Sequence, residues 1–180
     1  MKHTIKLDAL LLLLTILFAL CAFTGRCAIK GEIDRSVVKS LDLNNYMGLW
    51  YEVARFDHSF ERGMSNVTAE YTLQPDGGVR VVNRGVRDGQ QQEAIGKAKT
   101  TSEAGRLRVS FFMFFYSDYN IMEMGEGGEW VLVGSRSPKY LWILSRTPQL
   151  SDEVINHILH LARERGYDTS ELIFDTNSVE

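Results

Sequence analysis

Val67-Thr68-Ala69-Glu70-Tyr71-Thr72-Leu73, Gln74-Pro75-Asp76-Gly77-Gly78, Val79-Arg80-Val81-Val82-Asn83-Arg84-Gly85-Val86-Arg87, Asp88-Gly89: two β-prone runs, each followed by a tight turn, decide the fold of this chain. Valine, threonine and tyrosine suit a pleated surface, and aspartate and glycine tolerate the positive φ of a tight reversal. The same alternation continues in both directions. Runs at 50–58, 67–73, 79–87, 93–100, 106–112, 119–123, 130–135 and 140–145 recur at a spacing typical of all-β domains. Ala104-Gly105 and the glycines from Gly125 to Gly128 supply further turns. Connections this short join antiparallel neighbours, because a parallel crossover needs about a dozen residues or more. The expected fold is therefore all-β: an eight-stranded antiparallel up-and-down barrel, whose closure removes the exposed edges.

One helix follows the meander. Ser151 stands as N-cap, Asp152 and Glu153 suit the positive end of the dipole, and Gly166 is placed to end it. Val154, Ile155, Ile158, Leu159, Leu161 and Ala162 share one arc, so the helix is expected on the outer wall of the barrel. Residues 172–174 fit a short last strand.

Composition agrees with a single domain. The chain has 180 residues, 44% hydrophobic and 24% charged, the balance of a globule with a core. Its 20 basic and 23 acidic residues leave a net charge of −3, which gives no electrostatic case for nucleic acid. Lys2 and Lys6 precede an apolar run at 10–23, shorter than the roughly 20 residues of a membrane span and placed like a signal-peptide core. Both cysteines, Cys21 and Cys27, fall there, so the folded domain has no disulfide framework. Acylation at Cys27, or at Cys21, would hold the mature protein to a membrane through a lipid anchor. A plain secretory signal is the alternative, since Arg26 and Leu20 stand where a small residue normally precedes the acylated cysteine. The organisation expected is a signal segment at 1–27, a tether at 28–41 and a barrel domain at 42–177.

Tyr46-Met47-Gly48-Leu49-Trp50-Tyr51-Glu52-Val53-Ala54-Arg55-Phe56-Asp57-His58, continued by Phe60-Glu61-Arg62-Gly63, resembles the first-strand signature of the lipocalins. Leu141-Trp142-Ile143-Leu144-Ser145-Arg146-Thr147-Pro148 resembles their last strand. The likeness is greatest to the bacterial outer-membrane lipoprotein branch, which is also similar to apolipoprotein D. It implies that Trp50 and Arg146 form a structural pair at the closed end, an indole and a guanidinium in contact. It also implies an interior cavity for a hydrophobic molecule, which a barrel of eight strands can just hold. Alternation points Glu52, Ala54 and Phe56 inward from Trp50, Leu144, Trp142 and Tyr140 inward from Arg146, and Ala69, Tyr71 and Leu73 inward on the second strand, leaving Thr68 and Glu70 outside. Phe56, Tyr71, Asn83, Tyr119 and Trp142 are the ligand-binding residues expected, and the similarity to apolipoprotein D implies Asn83 as a polar handle.

Phe111-Phe112-Met113-Phe114-Phe115-Tyr116 is apolar without alternation. A fully buried strand, an apolar rim at the cavity mouth, a membrane-facing patch and a homodimer surface all fit it. His157 and His160 lie three apart on the helix but off its apolar arc, which fits a solvated face and not a metal site. The expected function is non-catalytic transport of a fatty acid or lysophospholipid in the bacterial cell envelope, at the outer membrane or in the periplasm, with no cofactor. An enzyme on the same scaffold, using Glu52 or His58 as acid–base, is the alternative.

Overall fold

The computed structural model describes residues 32–175. The strands are β1 (Gly48–Phe56), β2 (Ser65–Leu73), β3 (Val79–Arg87), β4 (Gln90–Thr100), β5 (Arg106–Phe112), β6 (Phe115–Met124), β7 (Trp130–Gly134), β8 (Leu141–Ser145) and β9 (Leu172–Phe174). Helix α1 (Leu43–Tyr46) precedes β1, and helix α2 (Asp152–Glu164) lies between β8 and β9. All strand pairs are antiparallel, and β2 through β8 follow one another in chain order. β1 then closes the barrel by pairing β8 on one side and β2 on the other, the latter through Gly48↔Tyr71 to Tyr51↔Thr68. The up-and-down barrel expected from the turns is the architecture observed.

β9 extends the closing seam where β2 leaves it, pairing Ala54↔Phe174 to Phe56↔Leu172. The next residue seals the joint: the Asp175 carboxylate accepts the backbone N–H groups of Asn66 (3.0 Å) and Val67 (2.7 Å). Asn66 has φ 51°, an unusual value that displaces the start of β2 and leaves those N–H groups to a side chain.

A bulge in β1 sets the geometry of everything that follows. Glu52 faces Leu144 but Ala54 faces Ile143, so Val53 is an extra residue on its strand. Side chains before the bulge keep the phase of Trp50; those after it are reversed. Ala54 and Phe56 therefore turn outward and pack with Ile158, Ala162 and Tyr167 under α2, while Arg55 is buried in their stead. This layer between barrel and helix is one of two cores. The other fills the closed half of the barrel with Tyr46, Trp50, Val79, Val81, Ile121 and Val131.

Helix α2 begins as its sequence indicates, with the Ser151 hydroxyl accepting the N–H of Val154. Ile158 and Ala162 are its buried residues. The expected tether behaves differently over its described part. Ile33 belongs to the core, the Asp34 N–H bonds the Arg165 carbonyl at 3.0 Å, and the Val38 N–H bonds the Ile121 carbonyl at 3.0 Å. Residues 32–41 thus lie along the barrel instead of hanging free. The expected signal segment at 1–27, with Cys21 and Cys27, lies outside the described residues.

Candidate ligand cavity

The barrel closes at one end around a chain of aromatic and cationic contacts. Gly48 opens β1 with φ 94°, a conformation suited to glycine. Two residues on, the Trp50 indole N–H donates to the Tyr46 carbonyl at 2.9 Å. The Arg146 guanidinium covers the indole face, 3.8 Å from the ring centroid. It also donates to the carbonyls of Leu49 (2.9 Å) and Asn45 (2.6 Å), tying the end of β8 to the chain entering β1. Trp50 and Arg146, expected as a structural pair, are in contact here.

Tyr46 packs against Trp50 with the rings tilted by 35° and their centroids 5.1 Å apart, and starts a cluster of three hydroxyls. The Tyr46 and Tyr119 hydroxyls are 2.7 Å apart, and the Tyr71 hydroxyl donates to that of Tyr119 at 3.0 Å. Burial pushes the Tyr71 phenol up to about 12 and those of Tyr46 and Tyr119 well above their ordinary value, so all three stay neutral. Above this floor is a cavity of about 490 Å³. That volume lies in the range of roughly 300–1,000 Å³ usual for small-molecule sites.

Of the five residues expected at the ligand, Tyr71, Asn83, Tyr119 and Trp142 line this cavity. Phe56 does not. The β1 bulge sends it to the outer layer, where its ring lies 6.1 Å from that of Tyr167. Alternation also placed Leu144, Tyr140 and Ala69 correctly, while Ala54 shares the fate of Phe56 and Leu73 is exposed. Thr68, expected outside, reaches the cavity near the register shift between Ser65 and Thr68.

Two polar atoms on this wall have no hydrogen-bond partner among the described residues. They are Oδ1 of Asn83 and Nε of Arg87, both buried, both on β3 and both of cavity-lining residues. Arg87 also donates from Nη2 to the Phe60 carbonyl at 2.9 Å, which holds the guanidinium at the mouth. A polar group buried without a partner costs roughly 1–3 kcal/mol. Spacing alone gave no reason to single out Arg87.

The wall near β1 carries charge of another kind. Arg55 Nη1 bonds Glu52 Oε1 at 2.5 Å, and its Nη2 donates to the carbonyls of Glu61 (3.0 Å) and Met64 (3.1 Å). The 57–64 loop is thereby pinned to the barrel. Burial pushes the Glu52 carboxyl up to about 8; the charge of Glu61 adds to the rise and the Arg55 guanidinium opposes it. The Glu61 carboxylate accepts the Trp142 indole N–H at 3.1 Å and lies 3.0 Å from His58 Nε2. Glu52 thus faces the cavity, whereas His58 is not among the lining residues and stacks on Phe60 at 4.0 Å. The two acid–base candidates sit in separate pairs. On α2, His157 stands edge-on to Trp130 and His160 pairs with Glu164.

The comparisons with known proteins follow the geometry. The lipocalin-like domain family matches residues 41–177. The chain is a lipocalin. Its sequence is 46% identical over 142 residues to the outer membrane lipoprotein Blc of Vibrio cholerae, covering 76% of this chain and 83% of that one. Temperature-induced lipocalin-1 of Arabidopsis thaliana is 35% identical, over 77% of this chain and 81% of its own. Apolipoprotein D of Rattus norvegicus is 28% identical, over 76% and 77%. Among solved structures, insecticyanin of the tobacco hornworm superposes with a TM-score of 0.68 at 20% identity, covering 82% of this lipocalin and 90% of that chain. At that identity the agreement concerns the fold.

Proposed function

We propose that this lipocalin is a non-catalytic carrier of a single-chain amphiphile, a fatty acid or a lysophospholipid. The observation that carries the reading is the pairing of an apolar cavity with two orphaned polar groups on one strand near its mouth, Asn83 Oδ1 and Arg87 Nε. The acyl chain lies toward the Tyr71–Tyr119 floor and is held by apolar burial, about 0.8 kcal/mol per CH₂. The head group stays at the mouth, where the Arg87 guanidinium takes a phosphate or carboxylate oxygen and Asn83 takes a hydroxyl. Trp142 lines the path between them.

Relatives named outer membrane lipoprotein support a place in the bacterial cell envelope. The chain is either anchored at the outer membrane through an acylated Cys27, or Cys21, or resides in the periplasm. Mass spectrometry of lipids extracted with the protein from native envelopes tests the reading. Stoichiometric single-chain lipid is the expected result. Protein recovered folded from those envelopes with no lipid bound would sink it.

A further inference from the structure

Residues 112–115 form the tip of the β5–β6 hairpin, with Phe112 opposite Phe115 and only Met113 and Phe114 between the strands. Their exposures are 67% for Phe112, 61% for Met113, 81% for Phe114 and 74% for Phe115. The apolar run is therefore neither a buried strand nor an alternating one. Phe60, on the 57–64 loop, is a further exposed ring among the residues lining the cavity. Four successive exposed apolar side chains at one hairpin tip call for a partner. Met113 makes the turn with φ 48°, where glycine would fit without strain, so a bulky apolar residue occupies the position least suited to it.

The tip is also part of the mouth. The Phe112 and Phe115 rings stack at 6.3 Å, and both residues line the cavity. Behind it stands a group of cations. Lys97 and Lys99 lie 5.9 and 4.5 Å from the Tyr116 ring, and Arg108 donates to the Tyr116 carbonyl at 2.8 Å. Lys97 pairs with Ser110 and Lys99 with Arg108, two and four residues behind Phe112. At about 3.3 Å per residue these charges trail the tip by roughly 7–13 Å. Asp118, the carboxylate among them, is shared by Arg108 (3.3 Å) and Arg136 (3.4 Å).

Charge along the barrel has the same sense. The loops at the mouth carry Arg62, Arg136 and Lys139 beside Asp57, Glu61 and Asp88. Those at the closed end, 74–78, 101–105 and 125–129, carry Asp76, Glu103, Glu126 and Glu129 and neither lysine nor arginine. The mouth loops are balanced, whereas these closed-end turns are acidic, so a negatively charged plane would repel that side and leave attraction to Lys97, Lys99 and Arg108.

We infer that the β5–β6 hairpin is a docking element for an anionic lipid bilayer, burying residues 112–115 among the acyl chains and setting the cavity mouth against the membrane. Apolar side chains in the interface reach about 5–10 Å below the head groups. That depth leaves Lys97, Lys99 and Arg108 at the level of the lipid phosphates, with Tyr116 in the amphipathic layer favoured by aromatic hydroxyls. A second copy meeting this one mouth to mouth would set Lys97, Lys99 and Arg108 against like charge. The inference stands on the hairpin and its charges; it goes beyond the carrier reading and does not require it.

A Phe114→Trp substitution in the full chain tests the docking directly. Vesicles of phosphatidylglycerol with brominated acyl chains are added, and the unsubstituted protein gives the background from Trp50, Trp130 and Trp142. The expected result is a blue shift and quenching of the indole at position 114. Adding Lys97→Glu and Lys99→Glu should weaken that binding by about thirtyfold or more. An indole that stays unquenched while the protein sediments with the vesicles overturns the inference. So does a blue shift without vesicles that grows with protein concentration, the mark of a second copy on the hairpin. Titration with a lysophospholipid in the absence of vesicles reports the carrier function separately, so either reading can fail alone.

Discussion

The Arg146 guanidinium lies 3.8 Å from the centroid of the Trp50 indole and donates to the backbone carbonyls of Asn45, before β1, and Leu49, within it. One side chain thus ties the last long strand to the first and covers the aromatic floor. Its Arg146→Ala variant should lose about 2–3 kcal/mol of stability, from a cation–π contact and charged hydrogen bonds partly screened by solvent. Urea unfolding measures the loss. Affinity for ligand should change little, because the pair lies below the tyrosine floor.

Phe56→Ala and Trp142→Ala separate the outer layer from the cavity. Truncating Phe56 should cost about 3–5 kcal/mol by opening a void beneath α2, with ligand affinity unchanged. Trp142→Ala should reduce affinity at a smaller cost in stability, since it removes a cavity wall. Equal effects on binding would contradict the bulge at Val53.

On β3, Asn83→Leu should raise the stability of the ligand-free protein, because it replaces an orphaned buried acceptor by an apolar group. The same variant should bind lysophospholipid about tenfold more weakly, one lost polar contact of roughly 1.4 kcal/mol. Arg87→Met should weaken binding of phosphate- and carboxylate-headed lipids more than that of a long-chain alcohol. Thermal unfolding and ligand titration give both readouts.

The raised carboxyl of Glu52 makes stability depend on pH. Its folded value is about 8 against an ordinary 4.5, so the native state keeps a proton that the unfolded chain releases. Stability should therefore fall as pH rises from about 4.5 to 8 and level off above that. In Glu52→Gln the falling limb should flatten. A wild-type profile without it would mean that Arg55 keeps the carboxylate ionised.

Much of this was legible in the sequence, for physical reasons. Turns such as Asp88-Gly89 are local, so strand order and antiparallel pairing followed from short connections, and β3 and β5 begin and end where their residues indicated. Inward phase was readable along most regular stretches, as at Leu144, Trp142 and Tyr71, although Leu73 at the end of β2 is exposed. It failed at Phe56 because a single extra residue, Val53, reverses every later side chain, and the register that exposes the bulge belongs to β8. β6 begins at Phe115, four residues before the run from Tyr119 suggested. The turn at Met113 carries no glycine to mark it. Arg87 became visible as a site residue only once the strand that holds it and the 57–64 loop had met.

The central claim is that an acyl chain fills the cavity with its head group at the mouth. Tryptophan fluorescence of the full chain, titrated with lysophospholipids that differ only in chain length, tests it most directly. The account predicts saturable binding of one lipid per protein, reported by Trp142. Affinity should rise about fourfold for each added CH₂ until the cavity is full. A folded protein that shows no saturable response to any chain length would contradict it.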